Sequence, residues 1–321
     1  MVCDPAERPL RREQAARQLA RLARAGVYGA DPEDWWGMRG ASTREPLQKP
    51  RRSVQLSPSR IESTLRCPLR SVLDRLVDDA DTPIHMVRGT LAHGFAEAIA
   101  RGADSDAASA LVYEAYAGLL DVPVWQRDTA LREWDTLIDN LERWLENTRG
   151  QFEQVGVEMD MRVSVGTTES GAPLRIKGRM DRLERNNDGE LVVVDVKTGS
   201  SKPAQKNMGE HAQLSAYQLA LSRGVVDGDS VRDPYPGETP EAVGGGVLVY
   251  PSATDVGKYT TREQAAKTPE ELEELAAMLP GVAAAIRGPA LTAIVNDNCD
   301  NCRLQSICPA QPTGRMLTNG S

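Results

Sequence analysis

No apolar run in these 321 residues approaches the roughly 18 that a helix needs to cross a bilayer, so neither a membrane span nor a membrane partner is expected. The Arg-rich N-terminus has no continuous apolar segment, so no secretory signal is expected, and the cytoplasm is the expected compartment. No internal repeat and no low-complexity stretch is present. A G-x-x-x-x-G-K-[ST] phosphate loop is missing too. Gly257-Lys258 is followed by Tyr259 and lacks the earlier glycine, so no ATP motor of that kind is encoded here. There is no excess of basic residues: 38 Lys and Arg against 46 Asp and Glu give a net charge of -8. That speaks against a chain whose only task is to bind nucleic acid. An enzyme that gathers carboxylates around a metal is not excluded.

What is present suits a globular protein, with 40% hydrophobic and 26% charged residues and enough length for one large domain or two ordinary ones. Charge is uneven along the chain. Residues 1–60 hold 12 Lys and Arg against 7 Asp and Glu, a solvated helical face and linker or a strip that meets phosphates. The five cysteines are an odd set for a disulfide framework. Cys3 stands alone and reads as a free thiol. Cys67 precedes Pro68, and Cys299, Cys302 and Cys308 form C-x2-C-x5-C-P. Such a set could ligate a tetrahedral zinc or an iron–sulfur cluster.

Hydrophobic spacing predicts a basic helix over 10–25 ended by Gly26, then an irregular segment that carries Trp35 and Trp36 and a linker through Pro46 and Pro50. Ser57-Pro58 opens a helix with the stripe Ile61, Leu65, Leu69, Leu73 and Leu76. Thr90 opens another, carrying His93 and, one turn on, Glu97, which could support the imidazole or be solvated. Helices follow over 107–120 and 128–153, the second with Trp134, Leu137, Leu141, Trp144 and Leu145 as core. Strands are expected at 157–166, 174–184, 191–198 and 246–250, with helices at 211–221 and 269–287 and a polar loop before the last. Helices on both sides of a strand-rich centre indicate an α/β domain.

Asn187-Asp188-Gly189 reads as a hairpin turn. A loop of those three residues sets Asp181 directly opposite Asp195, with Cβ atoms about 4.5–5.5 Å apart. Carboxylates that close repel unless a cation lies between them or one takes a proton. Lys197 projects from the same face as Asp195, while Val194 and Val196 point the other way. Two acids and an amine on one hairpin can hold Mg²⁺ or Mn²⁺, polarise a phosphodiester and offset charge on its transition state. An ordinary surface salt bridge would use the same residues.

The sequence resembles the PD-(D/E)XK nucleases, in particular the RecB-like branch of bacterial helicase–nucleases. The resemblance rests on Gly178-Arg179-Met180-Asp181, on Asp195-Val196-Lys197-Thr198-Gly199, on Gly89-Thr90-Leu91-Ala92-His93 and on Gln213-Leu214-Ser215-Ala216-Tyr217. It implies a restriction-endonuclease-like α/β core, a central mixed sheet flanked by helices. It also implies that His93, Asp181, Asp195 and the backbone carbonyl of Val196 surround an Mg²⁺ or Mn²⁺ ion, that Lys197 is the catalytic lysine, and that Gln213 and Tyr217 support the site or the DNA strand. Glu158 is a further candidate acid, at a strand position where relatives often carry one. Cys67, some 230 residues before the C-terminal triplet, resembles the [4Fe–4S] staple of the same branch. The segment from Gly29 to Trp36 resembles the one before the nuclease module of actinobacterial AdnA/AdnB-type helicase–nucleases.

These resemblances imply a basic helix and Trp-containing linker over 1–55, a nuclease domain over 56–312 and a flexible tail over 313–321. They imply a nucleoid-associated DNA exonuclease of double-strand-break repair and recombination, with a separate ATP-dependent helicase motor as partner. A non-catalytic DNA-binding module of the same fold and a zinc-ribbon interaction protein remain as alternatives.

Overall fold

The computed structural model describes Val2 and residues 8–32, 45–47, 53–76 and 84–311. Cys3, the Trp35-Trp36 pair and the tail 313–321 lie outside these described residues. Packing divides the chain into two compact units, one of residues 1–50, 63–76 and 284–321, the other of residues 51–62 and 77–283.

In the first unit, helix α1 (Pro9–Arg24) buries none of its side chains. The single helix expected after Ser57 is instead two, α2 (Pro58–Arg66) and α3 (Pro68–Leu73). The break has a local cause. Pro68 offers no N–H and disfavours helical geometry in the residue before it, and Cys67 is extended at φ -164° and ψ 104°. The leucine stripe simply continues across the break. The Leu69 N–H then donates to the Thr292 carbonyl at 3.0 Å, and Arg303 Nε to Asp74 Oδ1 at 2.9 Å, tying α3 to the C-terminal segment.

The second unit is built on an eight-stranded mixed sheet. Its strands are β1 (Val54–Leu56), β2 (Phe152–Thr167), β3 (Pro173–Asn186), β4 (Leu191–Val196), β5 (Val225–Asp227), β6 (Ser230–Arg232), β7 (Val243–Pro251) and β8 (Tyr259–Ala265). They lie in the order β5-β6-β2-β3-β4-β7-β8, with β1 parallel to β3. The β2-β3, β3-β4, β5-β6 and β7-β8 pairs are antiparallel, and β6-β2 and β4-β7 are parallel. All six residues of β4 are buried, as its run of valines requires of a strand covered on both faces.

Helices α4 (Ile84–Ala100), α5 (Ser105–Leu119) and α6 (Val124–Thr148) cover one face. Phe95, Trp134, Leu137, Leu141 and Trp144 pack there against Val192, Val194, Val196, Val247 and Val249. Each such side chain contributes about 1.5–3 kcal/mol by leaving water. Helix α7 (Ala212–Arg223) follows a 3-10 turn at Gln205–Glu210, and α8 (Pro269–Arg287) is followed by a last 3-10 turn at Cys299–Asn301.

α4 begins six residues before Thr90, where sequence placed its start. α6 stops at Thr148, short of 153, because Phe152 already enters β2. The strand expected to reach Thr198 ends at Val196, although the Lys197 N–H still donates to Val249 O at 2.8 Å. The polar loop after Tyr250 contains β8. Its sequence, YTTREQA, carries no apolar alternation because an edge strand has only one pairing partner and much of it stays wet. Among the described residues no helix is long and apolar enough to cross a membrane.

Candidate active site

The register of the sheet places three acids in one row. Between β3 and β4, Arg185 faces Leu191, Glu184 faces Val192, Leu183 faces Val193 and Arg182 faces Val194. This is the alignment that a three-residue turn predicts, and the next step along it is Asp181 and Asp195. Between β2 and β3, Val157 faces Arg182 and Met159 faces Met180, so Glu158 and Asp181 occupy the step between. Directly opposed residues share a face, so three adjacent strands each contribute one carboxylate to one strip of the sheet.

The ladder opens at this row. The Val196 N–H donates to Asp181 Oδ2 at 3.0 Å, a side chain standing in for a backbone acceptor. Glu158 has φ 49°, the single positive value among described residues other than glycine. That conformation costs of order 1 kcal/mol and is held by the strands around it. Gly178 allows the first turn of α2 to approach β3, since a Cβ there would sit 3.2 Å from Pro58 Cδ.

α4 brings His93 to the row from outside the sheet. Its Nδ1 lies 3.4 Å from Asp181 Oδ2. Ligating atoms of His93, Glu158 and Asp181 all fall within 4.8 Å of one another, the one such group among the described residues. Asp195 is not one of the three. Its Oδ1 accepts from Gln213 Nε2 at 2.8 Å, and its Oδ2 lies 2.7 Å from Lys197 Nζ. That Oδ2 is buried and receives no well-aligned hydrogen bond, leaving a lone pair for a further cation.

The electrostatics are those of crowded acids. Burial, then the Asp195 charge, pushes the Asp181 carboxyl well above the ordinary range, against the Val196 hydrogen bond and Lys197, which favour ionisation. Burial and Glu97 raise Glu158, with Arg179 opposing. Burial lowers His93 despite Asp195, so the imidazole is neutral and offers a lone pair at neutral pH. Burial opposes the Lys197 ammonium, but Asp195, Asp181 and Glu62 outweigh it and hold its pKa above the usual lysine value. A divalent cation would relieve this repulsion, and the donors present, a neutral imidazole with carboxylate oxygens, suit one.

α7 supports the row from the opposite face to α4–α6. Gly246 lets it close on β7, where a Cβ would meet Leu214 Cδ2 at 3.1 Å. Gln213 then bridges the two charges, donating to Asp195 and accepting from Lys197 Nζ at 3.0 Å. Tyr217 O–H donates to the Arg179 carbonyl at 3.0 Å, and burial with the nearby acids raises its pKa. Both residues reach the site from one helical face. Glu97 pairs with Arg101 Nη2 at 2.8 Å.

Sequence reasoning overlooked Arg179, whose guanidinium faces Glu158, and Glu62, whose charge acts on Lys197. No local pattern marks either one. Arg179 is recognisable only as a neighbour of Asp181, and Glu62 reaches the site from α2.

In the first unit, Cys67, Cys299, Cys302 and Cys308 line one pocket together with Leu69, Ile294 and Leu304. All four are free thiols.

The sequence profile described as the PD-(D/E)XK nuclease superfamily matches residues 55–309. Among solved structures, one titled "Crystal structure of SSO0001" is 19% identical and covers 80% of this chain and 86% of its own, with a TM-score of 0.37. No curated protein matches the chain.

Proposed function

The chain belongs to the PD-(D/E)XK nuclease superfamily, and from that premise we propose that it is a metal-dependent DNA exonuclease of the RecB-like branch. The observation that carries the proposal is the strip of Glu158, Asp181 and Asp195 on adjacent strands, flanked by His93 on one side and Lys197 on the other.

His93, Glu158 and Asp181 would hold Mg²⁺ or Mn²⁺, with Asp195 Oδ2 and the Val196 carbonyl completing the set. An ion held there would supply polarisation of a phosphodiester oxygen and a lowered pKa for a bound water. Before metal binds, Asp195 and Asp181 hold the Lys197 ammonium above the usual lysine pKa, which suits it to a donor's role. It donates hydrogen bonds to the water or to the phosphoryl oxygens on which negative charge develops. Gln213 fixes the ammonium against Asp195, so the cation is in place before the substrate arrives. Tyr217 holds the main chain two residues ahead of Asp181.

We further infer that Cys67, Cys299, Cys302 and Cys308 ligate a [4Fe–4S] cluster. That the four line one pocket supports a shared metal group, and a lone Cys67 far ahead of a C-terminal triplet favours the cluster over zinc. Residues 56–312 are taken as the nuclease domain. A basic α1 that buries none of its side chains supports DNA or a helicase motor as partner, and with it a role in double-strand-break repair at the nucleoid.

The deciding experiment incubates end-labelled single- and double-stranded DNA with wild type and Asp181→Ala, with Mn²⁺ or EDTA. The expected result is stepwise loss of label that requires both the metal and Asp181. DNA bound but left whole by the metal-loaded wild type would identify a binding module instead.

A further inference from the structure

Arg179 stands in β3 two residues before Asp181, on the same face of the sheet. Its Nη1 lies 3.7 Å from Glu158 Oε2 and its Nε 3.3 Å from Asp160 Oδ1. The Arg179 side chain is 59% exposed and that of Asp160 74%, whereas Glu158 is 20% exposed. Beneath the side chain the backbone is pinned, since the Arg179 carbonyl accepts from Tyr217 O–H. A pinned backbone therefore carries a largely exposed cationic side chain directly beside the three-ligand group.

Glu158 faces two claimants. It belongs to the group with His93 and Asp181, and it is also the inner partner of Arg179. A carboxylate oxygen drawn to a divalent ion at about 2.0–2.2 Å gives much less of its charge to a guanidinium, which the ion also repels. What remains for Arg179 is Asp160, an exposed pair of little worth.

We propose that Arg179 is a metal-controlled phosphate ligand: Glu158 holds it in the metal-free enzyme, and a divalent ion that takes Glu158 frees the guanidinium for a substrate phosphate beside the site. The inference rests on the metal site proposed above. A guanidinium presents paired N–H donors to two non-bridging phosphate oxygens, which a lysine does not reproduce. Metal and DNA then bind cooperatively, and the coupling is reciprocal.

The test measures binding of a fluorescent single-stranded oligonucleotide by anisotropy, with every protein in a Lys197→Met background that slows cleavage. With Mg²⁺, Arg179→Ala weakens binding about tenfold and Arg179→Lys restores only part of it, while in EDTA the Ala substitution costs under about twofold. In EDTA, Glu158→Gln tightens binding, and adding Arg179→Ala removes that gain. Mn²⁺ titration calorimetry without DNA separates this inference from the metal site itself. Arg179→Ala should take up Mn²⁺ at least as tightly as the parent, since Glu158 no longer has a competing partner, and Asp181→Ala should not take it up. Equal losses for Arg179→Ala with and without Mg²⁺, or no loss with Mg²⁺, overturn the inference and leave the metal site standing. A parent protein that takes up no Mn²⁺ overturns both.

Discussion

Gln213 Nε2 donates to Asp195 Oδ1 at 2.8 Å, and through this bond helix α7 governs an acid buried in the centre of the sheet. The same amide accepts from Lys197 Nζ, so one neutral side chain orients the anion and the cation together. Gln213→Leu leaves both without that partner. The expected loss of folding stability is about 1–3 kcal/mol, with a fall in cleavage rate that exceeds any change in DNA affinity. Thermal melts beside single-turnover kinetics check this. An unchanged cleavage rate would remove Gln213 from the machinery.

Lys197 is expected to act as a fixed positive charge. Lys197→Met keeps most of its volume and should cut cleavage by roughly 10²–10³-fold. Because Asp195 and Asp181 hold the lysine pKa above its usual value, the charge is complete at neutral pH and is lost only as pH rises past about 10.4, the ordinary lysine value. The pH–rate profile of the wild type should therefore have no rising limb that Lys197→Met abolishes. Such a limb would make the lysine a base and refute this role.

Asp181 links metal, pH and stability. Its folded-state pKa is raised, first by burial and then by Asp195, so the folded chain favours the protonated acid. This adverse contribution is absent below the unfolded value of about 3.9, grows as pH rises through the folded value, and then levels off. In EDTA at pH 7, Asp181→Asn should melt higher than wild type. In Mn²⁺ the wild type should gain in melting temperature and the variant should not. A variant that melts lower than wild type in EDTA would show that the acid is not strained by its neighbours.

The four cysteines give a prediction that needs no substrate. Protein purified without oxygen should carry close to four irons and four sulfides per chain and absorb in the visible, and Cys67→Ser or Cys302→Ser should lose that absorbance. Zinc in place of iron would overturn the cluster and restore the smaller-site alternative.

Several features were legible along the chain because they depend on local order. The turn Asn187-Asp188-Gly189 sets the β3-β4 register, and with it the step at which Asp181 and Asp195 meet. The valines of β4 announce a strand buried on both faces. Pro68 hides in plain sight; it breaks a helix whose leucine spacing runs on undisturbed. β8 escapes notice since its one fully buried residue, Gln264, is polar and leaves no apolar alternation to read.

By itself, then, the order of residues determined which side chains could carry the chemistry, since turn length and side-chain alternation act over a few residues. Only the tertiary structure decided how they share it. It put Glu158, at a strained backbone position, beside His93 and Asp181, and it turned Asp195 toward Lys197 and Gln213. Those choices depend on β2, α4 and α7 arriving from distant parts of the chain. Contacts of that range are settled by packing and charge in the closed fold, where no single stretch of sequence records them.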